Sequence, residues 1–148
     1  MYYRLTTLRF QCTGCGACCY GDRESYIAVS AAEIERIRDY LGLSPSWFRR
    51  RYLVRIAGVG RGIRLESDGR CAFLGADGRC RVYAVRPVQC STYPFWPEVV
   101  ATRGAWRGEA KRCEGIGRGR GVARQTVEVE LERARVAEAA IKTEQRQR

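Results

Sequence analysis

Eight cysteines and no histidine set the terms for this 148-residue chain. Four fall in one short run, Cys12-Thr13-Gly14-Cys15-Gly16-Ala17-Cys18-Cys19, and four arrive singly at Cys71, Cys80, Cys90 and Cys113. Thiolates at two-residue spacing can converge on one soft metal. With no imidazole available, a tightly held transition metal must be bound by sulfur, which narrows the choice to zinc or an iron–sulfur cluster. Disulfides are the competing use of an even cysteine count. The start of the chain, Met1-Tyr2-Tyr3-Arg4-Leu5-Thr6, lacks the basic-then-apolar pattern of a secretory signal. The expected location is therefore cytoplasmic, where thiols stay reduced and metal ligation is favoured.

An apolar fraction of 45% is enough for a packed core at this length. No run approaches the roughly 20 apolar residues of a membrane span, so no membrane association is expected. The formal charge of +11 is less informative than it looks. Of 27 basic residues only Lys111 and Lys142 are lysine, a bias that a GC-rich genome produces by itself. Ligation also removes charge: a four-thiolate site holding a +2 centre contributes about −2, and two such sites would leave the loaded protein near roughly +7. Charge alone supports nucleic-acid binding only weakly.

Along the chain, Tyr2 to Phe10 reads as an extended lead into the cysteine loop, and Ser25-Tyr26-Ile27-Ala28-Val29 as a short strand. Ser30 and Glu33 form a capping box for a helix through Ile34, Ile37 and Leu41, stopped at Gly42. Ser44-Pro45 starts a second helix carrying Trp47, Phe48 and Arg49-Arg50-Arg51, the arginines reading as a solvated face. Short strands and glycine turns follow from Leu53 to Val85, with an internal repeat, Asp68-Gly69-Arg70-Cys71 and Asp77-Gly78-Arg79-Cys80. Asp-Gly suits a tight reversal. A two-residue loop at Asp77-Gly78 would pair Cys80 with Gly75 and leave Cys71 four residues further along the same strand. That is about 13 Å at ~3.3 Å per residue, too far for one zinc. Either the hairpin is wider and distorted, or the two cysteines serve different sites.

Pro87, Pro94 and Pro97, with aromatics between them, argue against a helix or central strand around Cys90. Those aromatics suit a dry shell around a metal or ordinary core equally well. Gly115 to Gly121 reads as a flexible Gly/Arg connector. A helix from Val122 to about Gln145 carries a thin stripe of Val127, Leu131, Ala134 and Ile141, suited to packing on the domain or to self-association with a second copy. The expected fold is α+β: a small, irregular, cysteine-rich metal-binding domain with short strands, two N-terminal helices and a C-terminal helix. Its expected divisions are residues 1–117, a connector at 118–121 and a terminal helix at 122–148.

Common zinc modules use two separated Cys-x2-Cys knuckles, whereas here two overlapping Cys-x2-Cys steps and an adjacent cysteine crowd one loop. Cys12-x2-Cys15-x2-Cys18 matches the first three positions of the bacterial ferredoxin run, although the fourth ligand before proline is missing and a remote cysteine would have to complete the cubane. Gly14 and Gly16 would let backbone N–H groups approach cluster sulfurs. The spacing thus favours a [4Fe–4S] cluster over zinc.

Phe10-Gln11-Cys12-x2-Cys15-Gly16-x-Cys18-Cys19 resembles the opening of the YkgJ-like cysteine-cluster (CxxCxxCC) family of zinc- or iron-chelating domains. The resemblance continues through Cys71-Ala72-Phe73-Leu74, Asp77-Gly78-Arg79-Cys80-Arg81-Val82-Tyr83, Arg86-Pro87-x2-Cys90 and Tyr93-Pro94-Phe95, and more loosely to Cys113-x-Gly115. It implies that Cys12, Cys15, Cys18, Cys19, Cys71, Cys80, Cys90 and Cys113 are the metal ligands. Arg86 is then a shaping residue that donates to cluster sulfur or holds its loop. Three functional classes follow: an iron–sulfur protein working with a redox partner protein, a zinc-stabilised module binding nucleic acid or protein, and an enzyme. Against the last stand the absence of histidine, of a nucleotide-binding loop and of paired carboxylates, so no catalytic residue is assigned. A thiolate left over from ligation would still be nucleophilic.

Overall fold

The computed structural model describes residues 1–22 and 24–147. Its ordered elements run β1 (Leu8–Phe10), α1 (Ala31–Leu41), α2 (Pro45–Tyr52), β2 (Leu53–Ile56), β3 (Gly60–Ile63), α3 (Val88–Thr92), α4 (Pro97–Val100), α5 (Arg103–Glu109), β4 (Ile116–Val122) and α6 (Arg124–Arg146). Two separate two-stranded antiparallel sheets form, β1 with β4 and β2 with β3. The fold is α+β, as expected.

Local chemistry explains the first two helices. Ser30 Oγ accepts from Glu33 N while Glu33 Oε2 accepts from Ser30 N at 2.8 Å, so both ends of the capping box are closed. Gly42 ends the helix in the left-handed region. Ser44 caps α2 with Pro45 in its first turn. The buried faces of the two helices pack over the 71–74 segment, joining Val29, Ile34, Ile37, Phe48, Tyr52, Ile63, Cys71, Ala72, Phe73, Leu74 and Val82 in one apolar cluster. Tyr52 and Phe73 stack there at 4.7 Å between ring centroids.

A second cluster forms from Tyr3, Leu8, Phe95, Val99, Val100, Trp106 and Val127, with Phe10, Trp96, Ile116 and Leu131 at its edge. The terminal helix α6 reaches both clusters. Val127 and Leu131 pack in the second, while Glu144 accepts from Ala31 N at the start of α1 and pairs with Arg61 of β3. Between them, Arg133 donates to Ser91 Oγ at 3.1 Å.

Three expectations need correction. The apolar 25–29 segment is not a strand: it makes only an isolated bridge, Ala28 to Gly62. Its neighbouring edge is met instead by a side chain, since Gln89 Oε1 accepts from Ala28 N and Gln89 Nε2 donates to Tyr26 O. The proline-rich stretch does contain a helix, α3, fitted between Pro87 and Pro94 so that neither proline lies inside it. The Gly/Arg stretch is not a loose connector but part of strand β4, whose Ile116, Gly121 and Val122 pair with β1 on either side of a bulge.

Glu33 links the first helix to α3. Beyond its capping bond, its Oε1 accepts from Val88 N at 2.7 Å, and the residue is 4% exposed. Glu33→Ala leaves two N–H groups without their acceptor and is expected to lower the unfolding free energy by about 2–4 kcal/mol in urea titrations. Glu35→Ala removes only an exposed pair with Arg38 and should change it by less than about 1 kcal/mol.

Candidate metal centre

The cysteine run is shaped by its own backbone. Gly16 has φ +78° and leads into a single 3-10 turn, Ala17–Cys19, closed by Cys19 N donating to Gly16 O at 3.0 Å. The run then docks on the repeated Asp-Gly turns. Cys71 N donates to Cys19 O at 2.7 Å, and Gly21 N to Gly69 O at 2.9 Å. A Cβ on Gly16 would lie 2.9 Å from Gly78 O, so the loop sits on the second turn as closely as backbone allows.

The turns themselves follow from their aspartates. Asp68 Oδ1 accepts from Arg70 N, and Asp77 Oδ1 from Arg79 N, each at 3.0 Å. The hairpin question is settled in favour of the wider, distorted loop. Gly75 N donates to Arg79 O, and Cys80 bridges to Leu74 rather than to Gly75. The chain also turns immediately after Cys71, whose carbonyl accepts from Leu74 N at 2.9 Å. Cys71 and Cys80 are therefore not spread along an extended strand.

The remaining cysteines come from the other half of the chain. Cys90 lies in α3, which Glu33 and Gln89 hold against the first half. Cys113 follows α5, its N–H donating to Glu109 O at 2.9 Å. The Glu109 carboxylate in turn accepts from Tyr93 Oη at 2.6 Å, placing that aromatic beside Cys113. Burial and the neighbouring carboxylate push the Tyr93 phenol well above its ordinary range. Gln11 N donates to Gly115 O at 3.0 Å, bringing the start of the cysteine run alongside the residues after Cys113.

Electrostatics identifies Cys18 as the hub. Its thiol is drawn down by a hydrogen bond with Cys19 and then by the Arg112 and Arg86 guanidiniums. Cys19, holding the shared proton, is pushed up by that bond and by burial. Burial raises Cys71 to about 11 and also raises Cys80, Cys90 and Cys113, and each of these four also feels the charge of Cys18. Cys15 acts on Cys113. Nothing comparable places Cys12 with them; it is exposed at the outer end of the run. Among the described residues, no three His, Cys, Asp or Glu side chains are closed to the geometry of a metal ion. The thiols are gathered, from five stretches of sequence, without being clamped.

Arg86 holds its own loop rather than pointing its bonds at sulfur. Its Nε donates to Tyr83 O at 3.0 Å and its guanidinium lies 4.0 Å from the Tyr83 ring centroid, while its charge still reaches Cys18, Cys80 and Cys90. Arg112, which sequence reading passed over among so many arginines, donates to Tyr20 O at 2.8 Å. Gln89 was equally unmarked, and Glu33 was already accounted for by its capping box. Of the aromatics, Phe95 and Trp96 lie in or against the second core, while Tyr93 lies near Cys113.

This donor set matches what comparison finds. The CxxCxxCC family model, "Putative zinc- or iron-chelating domain", matches residues 11–114. The chain belongs to that family and is a metal-binding domain over the matched residues. Helix α6 lies outside the match. No solved structure matches the chain. Among the described residues no helix is long and apolar enough to cross a membrane.

Gly16 and Gly14 give a matched test of the loop. Both have positive φ, but a Cβ on Gly14 would meet nothing within 4 Å. Gly14→Ala should cost the backbone strain alone, about 1–2 kcal/mol. Gly16→Ala adds the collision with Gly78 O and should, in addition, lose most of its metal on dialysis against a chelator.

Proposed function

We propose that this protein carries a [4Fe–4S] cluster and works in electron transfer or in support of an oxidoreductase. The observation that supports this best is the placement of Cys19, Cys71, Cys80, Cys90 and Cys113 within electrostatic reach of one thiol, Cys18. By spacing, Cys12, Cys15 and Cys18 supply the loop ligands and a remote cysteine completes the set. When bound, the cluster would supply one-electron chemistry.

The chain's own groups fit this role. The thiols raised by burial hold their protons until ligation releases them, so loading is favoured by higher pH. Arg86 and Arg112 offset the negative charge that several thiolates accumulate. The buried side of the site, around Cys71 and Phe73, keeps water from one flank. The soft, histidine-free donor set also suits zinc, in which case the chain is a zinc-stabilised module for binding nucleic acid or protein.

Anaerobic purification, with an absorption spectrum and assays for iron, sulfide and zinc, tests the proposal. A brown protein absorbing broadly near ~400 nm, with iron and sulfide present, is expected. A colourless protein with stoichiometric zinc would overturn the redox reading. Cys18→Ser is expected to remove the cluster and its absorption.

A further inference from the structure

Strand β4 contains an irregularity that metal binding does not use. Along β1, Arg9 pairs with Gly121 but the next residue, Phe10, pairs with Ile116, so residues 117–120 loop out of the ladder. This loop is Gly117-Arg118-Gly119-Arg120. Gly117 and Gly119 take φ of +88° and +77°, a backbone that side chains resist. The loop is not loose. Arg9 Nε donates to Gly119 O at 2.8 Å, and Gly119 is pressed against Gln11, where a Cβ would lie 2.8 Å from Oε1. Arg118 and Arg120 are exposed. Among the described residues the side chains of Arg118 and Arg120 make no hydrogen bond, and Arg9, Arg118 and Arg120 form no ion pair.

The position of the loop gives it meaning. Gln11, which it touches, immediately precedes Cys12, and Cys12, Cys15 and Cys18 are all exposed. The nearest carboxylate in sequence, Glu114, is occupied by Thr13 Oγ1. We infer that this arginine-bearing bulge, with Arg9, Arg118 and Arg120 beside the exposed end of the cysteine run, docks an acidic partner protein at the edge of the metal centre. Guanidinium groups pair with carboxylates in two-pronged fashion, and three without an ion-pair partner form a strong but compact complement to a carboxylate cluster. A nucleic acid, by contrast, is tracked by a longer row of cations spaced to successive phosphates. The meaning of the docking rests on the metal reading above; the surface itself does not.

The test uses the protein as purified, with its metal content assayed, and a fluorescein-labelled oligoglutamate peptide of about 20 residues followed by anisotropy at low salt. Binding is expected to weaken about tenfold in R118A/R120A, for the loss of two charge-assisted contacts. It should stay within about twofold in R49A/R50A, which removes two exposed arginines of α2 that are equally without ion pairs. Equal losses in both variants would overturn the inference, as would no loss in R118A/R120A. An oligouridylate of about 20 nucleotides binding at least tenfold tighter than the peptide, and sensitive to R118A/R120A, would overturn it in favour of a nucleic-acid surface. Metal without peptide binding defeats the docking surface alone. Site-specific peptide binding to a metal-free protein upholds the surface and defeats the metal reading.

Discussion

The contact on which the rest depends is made of backbone: the cysteine run lies against the paired Asp-Gly turns through Cys19 O, Cys71 N, Gly21 N and Gly69 O. The hydrogen bonds that join the two run between main-chain atoms, so no thiol is spent in making them. The close approach of Gly16 to Gly78 O sets how near they can come. Once this docking is made, Cys18, Cys19, Cys71 and Cys80 share one neighbourhood whatever happens elsewhere. Cys90 and Cys113 then reach it from the second half of the chain, guided by Glu33, Gln89 and Glu109.

The thiols thus lie in or around the edges of two small apolar clusters. Cys71 belongs to the first cluster, with Cys19 and Cys80 at its edge. Phe10 and Ile116, near Cys12 and Cys113 in sequence, border the second. Neither cluster is large, and a metal shared between them would add cohesion where apolar burial is thinnest. Burial and the neighbouring thiols account for the raised cysteines, while Arg86 and Arg112 offer compensating charge.

Features governed by neighbours in sequence were legible from sequence. Ser30, Glu33, Gly42, Ser44 and Pro45 announced two helices, and the Asp-Gly repeats announced two turns. The eight cysteines and the family were legible for the same reason, since spacing is a sequence property. What escaped was decided by tertiary contacts. The β-branched run before Ser30 has strand character, yet the Gln89 side chain satisfies part of its backbone, and no pattern in the sequence announces a glutamine acting as a strand. Alternating Gly and Arg looks like a linker until β1 is known to pair with the residues at either end of it. The prolines around Cys90 mark the limits of a short helix as readily as its absence.

Helix α6 has a consequence that reaches beyond its packing. It holds Val127 in the second cluster, sets Glu144 against Ala31 of α1 and Arg61 of β3, and touches Ser91 next to Cys90 on the way. It spans two halves of the chain that both contribute cysteines. It lies outside the stretch that defines the family. A change in its length or lean would re-space the sulfurs without altering a single cysteine, so the part of the chain least constrained by the motif is well placed to adjust what the motif holds.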